Sequence, residues 1–138
     1  MPKITNFAFC KPGQFEFEGP GLDFVDSVET SSDIFKLAVV YSITDFSAFQ
    51  NHTGFLKLLG PDNQVIIKTD QFEVEKVSEE DPEMYGSENV VSGITMGMEF
   101  GNVQFKGPGL YKVEVFFDDD LLADFSIPVL FEREGGRE

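Results

Sequence analysis

The sequence predicts an all-β protein: a single antiparallel β-sandwich of jelly-roll or immunoglobulin-like type, with a closed β-barrel as the alternative. Three observations predict it. Apolar and polar residues alternate with period two in the segments rich in Val, Ile, Phe and Tyr. Glycines recur inside one such segment, where a helix would lose about 1 kcal/mol at each. Clusters of Gly, Pro, Asp and Asn separate the segments and supply turn chemistry.

The elements follow in order. "MPKITNFAFC" is a short N-terminal strand ending at Cys10, and "QFEFE" alternates ahead of a first "GPGL". In "DIFKLAVVYSITDF" the residues Phe35, Leu37, Val39, Tyr41 and Ile43 share one face of an extended chain. The other face mixes Ile34, Ala38 and Val40 with Lys36, Ser42 and Thr44, which predicts a central strand partly covered on both sides. "GFLKLLG", the turn residues "PDNQ" and the return "VIIKT" make a hairpin, and "QFEVEKV" sets Phe72, Val74 and Lys76 against Glu73 and Glu75. Ser78 to Glu88, "SEEDPEMYGSE", has no apolar period and predicts an exposed acidic loop.

The last third is a strand and a hairpin. "SGITMGMEFGNVQF" alternates through Ile94, Met96, Met98 and Phe100, and its Gly93, Gly97 and Gly101 mark bulges or close backbone approach. After the second "GPGL", Tyr111, Val113, Val115 and Phe117 face inward with Lys112 and Glu114 opposite. "DDD" turns the chain, and Leu121, Ala123, Phe125, Ile127 and Val129 return as the inward row with Asp124 and Ser126 outside. Pro then Gly at the centre of "GPGL" fits a type II turn, a local solution used twice rather than a duplicated unit. The expected organisation is one domain over residues 1–131 and a frayed tail over 132–138.

Composition narrows the function. A chain of 138 residues buries a core large enough to be stable without disulfides or metals. Its 16 Phe, against 3 Tyr and no Trp, suit a packed interior better than a wet recognition surface. One cysteine, no basic-plus-apolar leader and no membrane-length apolar run predict a cytoplasmic protein. With 25 acidic and 10 basic residues the net charge is −15, which opposes direct binding to nucleic acid or anionic membranes. A basic protein partner fits that charge.

Reactive chemistry finds little support. A Cys–His pair would need Cys10, at the end of an apolar strand, to meet His52, the one histidine, in the polar stretch "FQNHTG". No Gly-x-Ser-x-Gly elbow, phosphate loop or dinucleotide fingerprint is present, and one Cys with one His is too few for zinc. Calcium could use Asp118, Asp119, Asp120 and Asp124, although Asp at a hairpin tip is expected for turn chemistry alone. No catalytic residue and no cofactor are expected. Glu79, Glu80, Asp81 and Glu83 of the acidic loop are the candidate partner-binding residues.

The two ends of the chain, "MPKITNFAFC" and "MEFGNVQFKGPGLYKVEVFFDDDLLADFSIPV", resemble a family of small bacterial proteins of unknown function. The resemblance implies a short first strand leading a β-sandwich and a closing hairpin of pattern Asn-Val-x-Phe, Gly-x-Tyr, an alternating strand, an Asp or Asn turn and Ile-x-Val. It casts Asn102, Val103, Phe105, Gly109, Tyr111, Ile127 and Val129 as fold determinants and brings no activity with it. The function expected is a non-catalytic protein-binding module with an acidic surface. The alternatives are an acidic decoy that imitates nucleic acid, and an enzyme of unrecognised type.

Overall fold

A computed structural model of the chain describes residues 2–12, 24–76 and 91–131, with the backbone alone at 91–92. The acidic loop with Glu79, Glu80, Asp81 and Glu83, the first "GPGL" and the tail 132–138 lie outside the described residues.

Alternation becomes strand wherever it is strong. In β4 (Ile34–Ser47) the row Phe35, Leu37, Val39, Tyr41 and Ile43 is buried, and Ala38 and Ser42 on the opposite side are buried too. This strand is central: β1 (Lys3–Cys10) pairs with it on one side and β8 (Val91–Gln104) on the other, and β2 (Phe24–Val25) extends the sheet beyond β1. The second sheet holds β3 (Val28–Thr30), β5 (His52–Leu59), β6 (Val65–Lys68), β9 (Gly109–Phe117) and β10 (Asp120–Phe131), in the order β3-β10-β9-β5-β6. The short β7 (Phe72–Val74) also pairs with β5.

The two sheets pack face to face around one apolar cluster. Tyr41, Leu37 and Ile43 come from the first, and Tyr111, Val113, Val115, Phe117, Leu56 and Leu58 from the second. No ladder joins the sheets among the described residues, so the arrangement is a sandwich and not a closed barrel. Its division of strands is immunoglobulin-like: β1, β4 and β8 form one sheet, and β5, β9 and β10 the other. Among the described residues the ladders are antiparallel with one exception. The strand β3 runs parallel to β10, because the chain crosses from β2 in the first sheet and meets the last strand from the same end.

Register shifts interrupt the ladders at five places among the described residues, and three of them bear on the expected alternation. In β4 Asp45 takes a φ of 70° between Thr44 and Phe46 and has no opposite residue on β8. In β8 an extra residue between Phe100 and Val103 lets both of those side chains enter the core while Gly101 and Asn102 stay exposed. In β10 the register shifts between Leu121 and Ala123. Leu121 was expected inside and is 49% exposed; Leu122 packs against the core in its place. Beyond that bulge Phe125, Ile127 and Val129 face inward as expected and Asp124 faces out.

The second "GPGL" is not a type II turn. Gly107 and Gly109 have φ of 103° and 148°, and Gly109 already pairs with Val129 in the sheet. A type II turn needs about +80° at that third residue. The corner is held instead by Tyr111: its hydroxyl accepts the Lys106 N–H at 2.7 Å and donates to the Gly107 carbonyl at 2.8 Å. A tyrosine near the start of this strand, bonded back to the preceding corner, is a hallmark of immunoglobulin-like sandwiches.

Candidate functional site

The richest polar cluster among the described residues lies at the end of the sandwich where β4 passes to β5 and β9 turns into β10. The turn is a two-residue loop, Asp118-Asp119, between Phe117 and Asp120. Both residues are left-handed, with φ of 52° and 69°, which is the type I′ geometry that matches the twist of a hairpin. Asp tolerates this region better than most residues because its short side chain bonds locally.

That geometry aims the Asp118 carboxylate back at β5. Its Oδ2 lies 2.7 Å from Nδ1 of His52, and its Oδ1 accepts the Thr53 N–H at 3.2 Å. The Asp118 N–H donates to the Thr53 carbonyl at 2.7 Å, so backbone and side chain both tie the hairpin tip to the start of β5. The other ring nitrogen, Nε2, lies 2.8 Å from the Ser47 carbonyl. A carbonyl and a carboxylate only accept, so each ring nitrogen of His52 faces an acceptor.

His52 is 5% exposed and sits between Phe46 and Phe117, with ring centroids 4.9 and 5.2 Å away. Sequence reasoning placed it in a polar turn, but it is the first residue of β5 and faces inward. No local signal could have revealed this, because its carboxylate partner is 66 positions away. The one hint was parity: His52, Gly54, Leu56 and Leu58 share the inward side of β5.

A His–Asp pair suggests acyl transfer, which also requires a hydroxyl at the far ring nitrogen. That place is taken by the Ser47 carbonyl, while the Ser47 hydroxyl accepts the Phe49 N–H at 3.1 Å. The arrangement is a clip joining three segments. Cys10 is equally engaged: it is buried at the end of β1, its Sγ lies 3.8 Å from the Ala8 carbonyl, and burial pushes the thiol up from its ordinary pKa. A buried thiol of raised pKa is a poor nucleophile.

The four candidate calcium ligands are separated by the same turn. Asp118 bonds His52, Asp119 and Asp120 are exposed at the tip, and Asp124 stands on the outer face of β10. Among the described residues no group of three or more Asp, Glu, His or Cys side chains converges as metal ligands would. Two shallow clefts flank the clip. One, about 460 Å³, is lined by Asn51, His52, Thr53, Glu73, Val74, Glu75 and Lys76. The other, about 490 Å³, is lined by Pro2, Phe117, Asp118, Asp120, Leu121 and Leu122. No helix among the described residues is long and apolar enough to cross a membrane.

The chain aligns with several solved structures. The chain aligns with the Pseudomonas fluorescens alkylpurine DNA glycosylase AlkC bound to abasic-site DNA, with a TM-score of 0.53 and 10% identity. The match covers 94% of this chain and 30% of the glycosylase, so the chain spans less than a third of that enzyme. An immunoglobulin-like protein of Pseudomonas aeruginosa aligns with a TM-score of 0.42 and 19% identity over 94% of this chain and 96% of its own. The C-terminal domain of Wzt aligns with a TM-score of 0.46 and 14% identity over 96% and 74%. No protein of curated function matches the chain. A family model described as "Family of unknown function (DUF6941)" matches residues 33–130.

Proposed function

The chain belongs to that family, DUF6941, and we propose that it is a cytoplasmic, non-catalytic protein-binding module whose acidic surface favours a basic partner. The observation that carries this reading is the engagement of His52 on both ring nitrogens, by Asp118 and by the Ser47 carbonyl. The side chain best suited to proton transfer is thereby committed to holding the sandwich together. What the chain offers to solution is charge on a rigid frame: a net −15, which speeds encounter with cations and opposes phosphate. The DNA of the AlkC complex is that glycosylase's ligand, and the charge of this chain works against a similar use. The single cysteine, kept reduced and buried, suits a reducing compartment.

The test is capture of partners from the source cell's extract on the tagged chain, followed by binding measurements with each purified partner. A basic protein that binds more weakly as salt rises from low to about 0.15 M, where charges beyond about 8 Å are screened, supports the module. Displacement of that partner's own DNA or RNA from the same groove would replace the module by the decoy. Turnover of a small molecule, abolished in His52→Gln while the fold persists, would replace both by an enzyme.

A further inference from the structure

The outer face of the six-stranded sheet carries a charge pattern that the chain itself compensates only at its centre, where Lys57 lies directly opposite Glu114. Strand registers place Lys68, Lys57, Glu114 and Asp124 side by side in one row across β6, β5, β9 and β10. Lysine thus lies directly opposite lysine, and carboxylate directly opposite carboxylate. Like charges in direct cross-strand positions are destabilising. Neither Glu114 nor Asp124 forms an ion pair among the described residues, whose ion pairs are Lys3–Asp45 and His52–Asp118. The lysine heads stand on the outer face: Lys57 lies 5.0 Å from the Phe116 ring centre and Lys68 4.7 Å from that of Phe55.

We propose that this face is the interface of a homodimer, with the two-fold axis running along the strands between β5 and β9. That operation lays the row on its own reverse. Lys57 of one copy meets Glu114 of the other, Lys68 meets Asp124, and the symmetry repeats both contacts. Face-to-face sheets stand about 10 Å apart, a gap that lysine and glutamate side chains span together. The next row along the strands is apolar. Phe55, Phe116 and Leu121 are aligned across it, the two rings stacked with centroids 4.7 Å apart; Phe55 is 9% exposed, so Phe116 and Leu121 are the side chains this row offers to the partner. Leu110, Leu121 and Val65, each about half exposed or more, surround the charged row and would be covered. A self-complementary patch of this kind is what a two-fold dimer requires. The inference is independent of the basic-partner reading, which concerns the acidic surface as a whole.

The experiment is sedimentation of the full chain over a wide concentration range, with two double charge reversals. Natural chain is expected to dimerise, and more tightly at about 0.15 M salt than at low salt, because screening relieves the repulsion between two bodies of charge −15. Lys57→Glu/Lys68→Glu and Glu114→Lys/Asp124→Lys should each self-associate at least about tenfold more weakly, since four contacts turn repulsive. Mixed together, the two variants should form a heterodimer. Thermal melting followed by circular dichroism checks that each is folded; if one is not, Glu114→Gln/Asp124→Asn takes its place and should weaken the natural dimer in the same direction. A natural chain that stays monomeric at its highest soluble concentration overturns the proposal. So does a dimer that both reversals leave intact, or a mixture that fails to associate.

Discussion

At the start of β9 the Tyr111 hydroxyl holds two backbone groups four and five positions earlier in the chain; at its end the Asp118 carboxylate holds His52, 66 positions away. Both fasten the same strand to its surroundings, and both bury a polar group with its hydrogen bonds made. They differ in what must already exist for them to form. The Tyr111 corner needs only its own turn to close. The His52 clip needs β5 and β9 to have paired in register and the Asp118-Asp119 loop to have adopted its left-handed geometry. Both rest on aromatic core residues, Tyr111 on Phe35 and His52 on Phe46 and Phe117, and both side chains are buried. The two differ in sequence distance rather than in depth of burial; the backbone groups beside exposed Lys106 are open to water once freed, so the distant fastening stands to lose more when cut.

Removing the aromatic bed should have the largest effect. Phe117 is 1% exposed and packs on both Phe46 and His52. Phe117→Ala is expected to cost about 3–5 kcal/mol in urea unfolding, as for other buried aromatics. A loss below 1 kcal/mol would mean that this end of the sandwich is not packed as described.

Cutting the clip itself comes next. His52→Phe keeps ring volume but leaves the Asp118 carboxylate and the Ser47 carbonyl without their donor, for an expected loss of about 1–3 kcal/mol. Tyr111→Phe makes the matching cut at the other end. It frees the Lys106 N–H and the Gly107 carbonyl, which water can reach, so the loss should fall near 1 kcal/mol. The reverse order of these two variants would break the link between sequence distance and strength drawn above.

The smallest change sharpens it within one turn. Asp118 and Asp119 have similar left-handed φ, but Asp118 alone is bonded to His52 and Thr53. Asp119→Gly should raise stability by a few tenths of a kcal/mol, because glycine adopts that conformation freely and completes the favoured Asp-Gly turn. Asp118→Gly gains the same freedom and loses the clip, so its net effect should be a loss. Differential scanning calorimetry of the two variants side by side reads the contrast directly.

Much of this molecule was written locally. The inward rows of β4 and β9 were legible residue by residue, because the side-chain period of a strand equals the spacing of apolar residues in those segments. The hairpins were legible because their turns are made by residues next to one another, as at "PDNQ" and "DDD". Tyr111 was legible as a fold determinant, although its hydrogen bonds were not. Alternation failed where a single extra residue intrudes, at Leu121 in β10, because a bulge leaves no mark in composition and puts the side chains on its two sides out of phase with each other.

Tertiary structure decided the rest, for one reason. The choice of an immunoglobulin-like sandwich over a jelly roll or barrel, the parallel pairing of β3 with β10, and the meeting of His52 with Asp118 all relate residues far apart in the chain. So does the row in which Lys68 and Lys57 stand beside Glu114 and Asp124. Each strand's pattern says which way its side chains point and nothing about which strand will lie beside it. Net charge could be counted from the sequence; which charges share a face depended on how the strands were laid down.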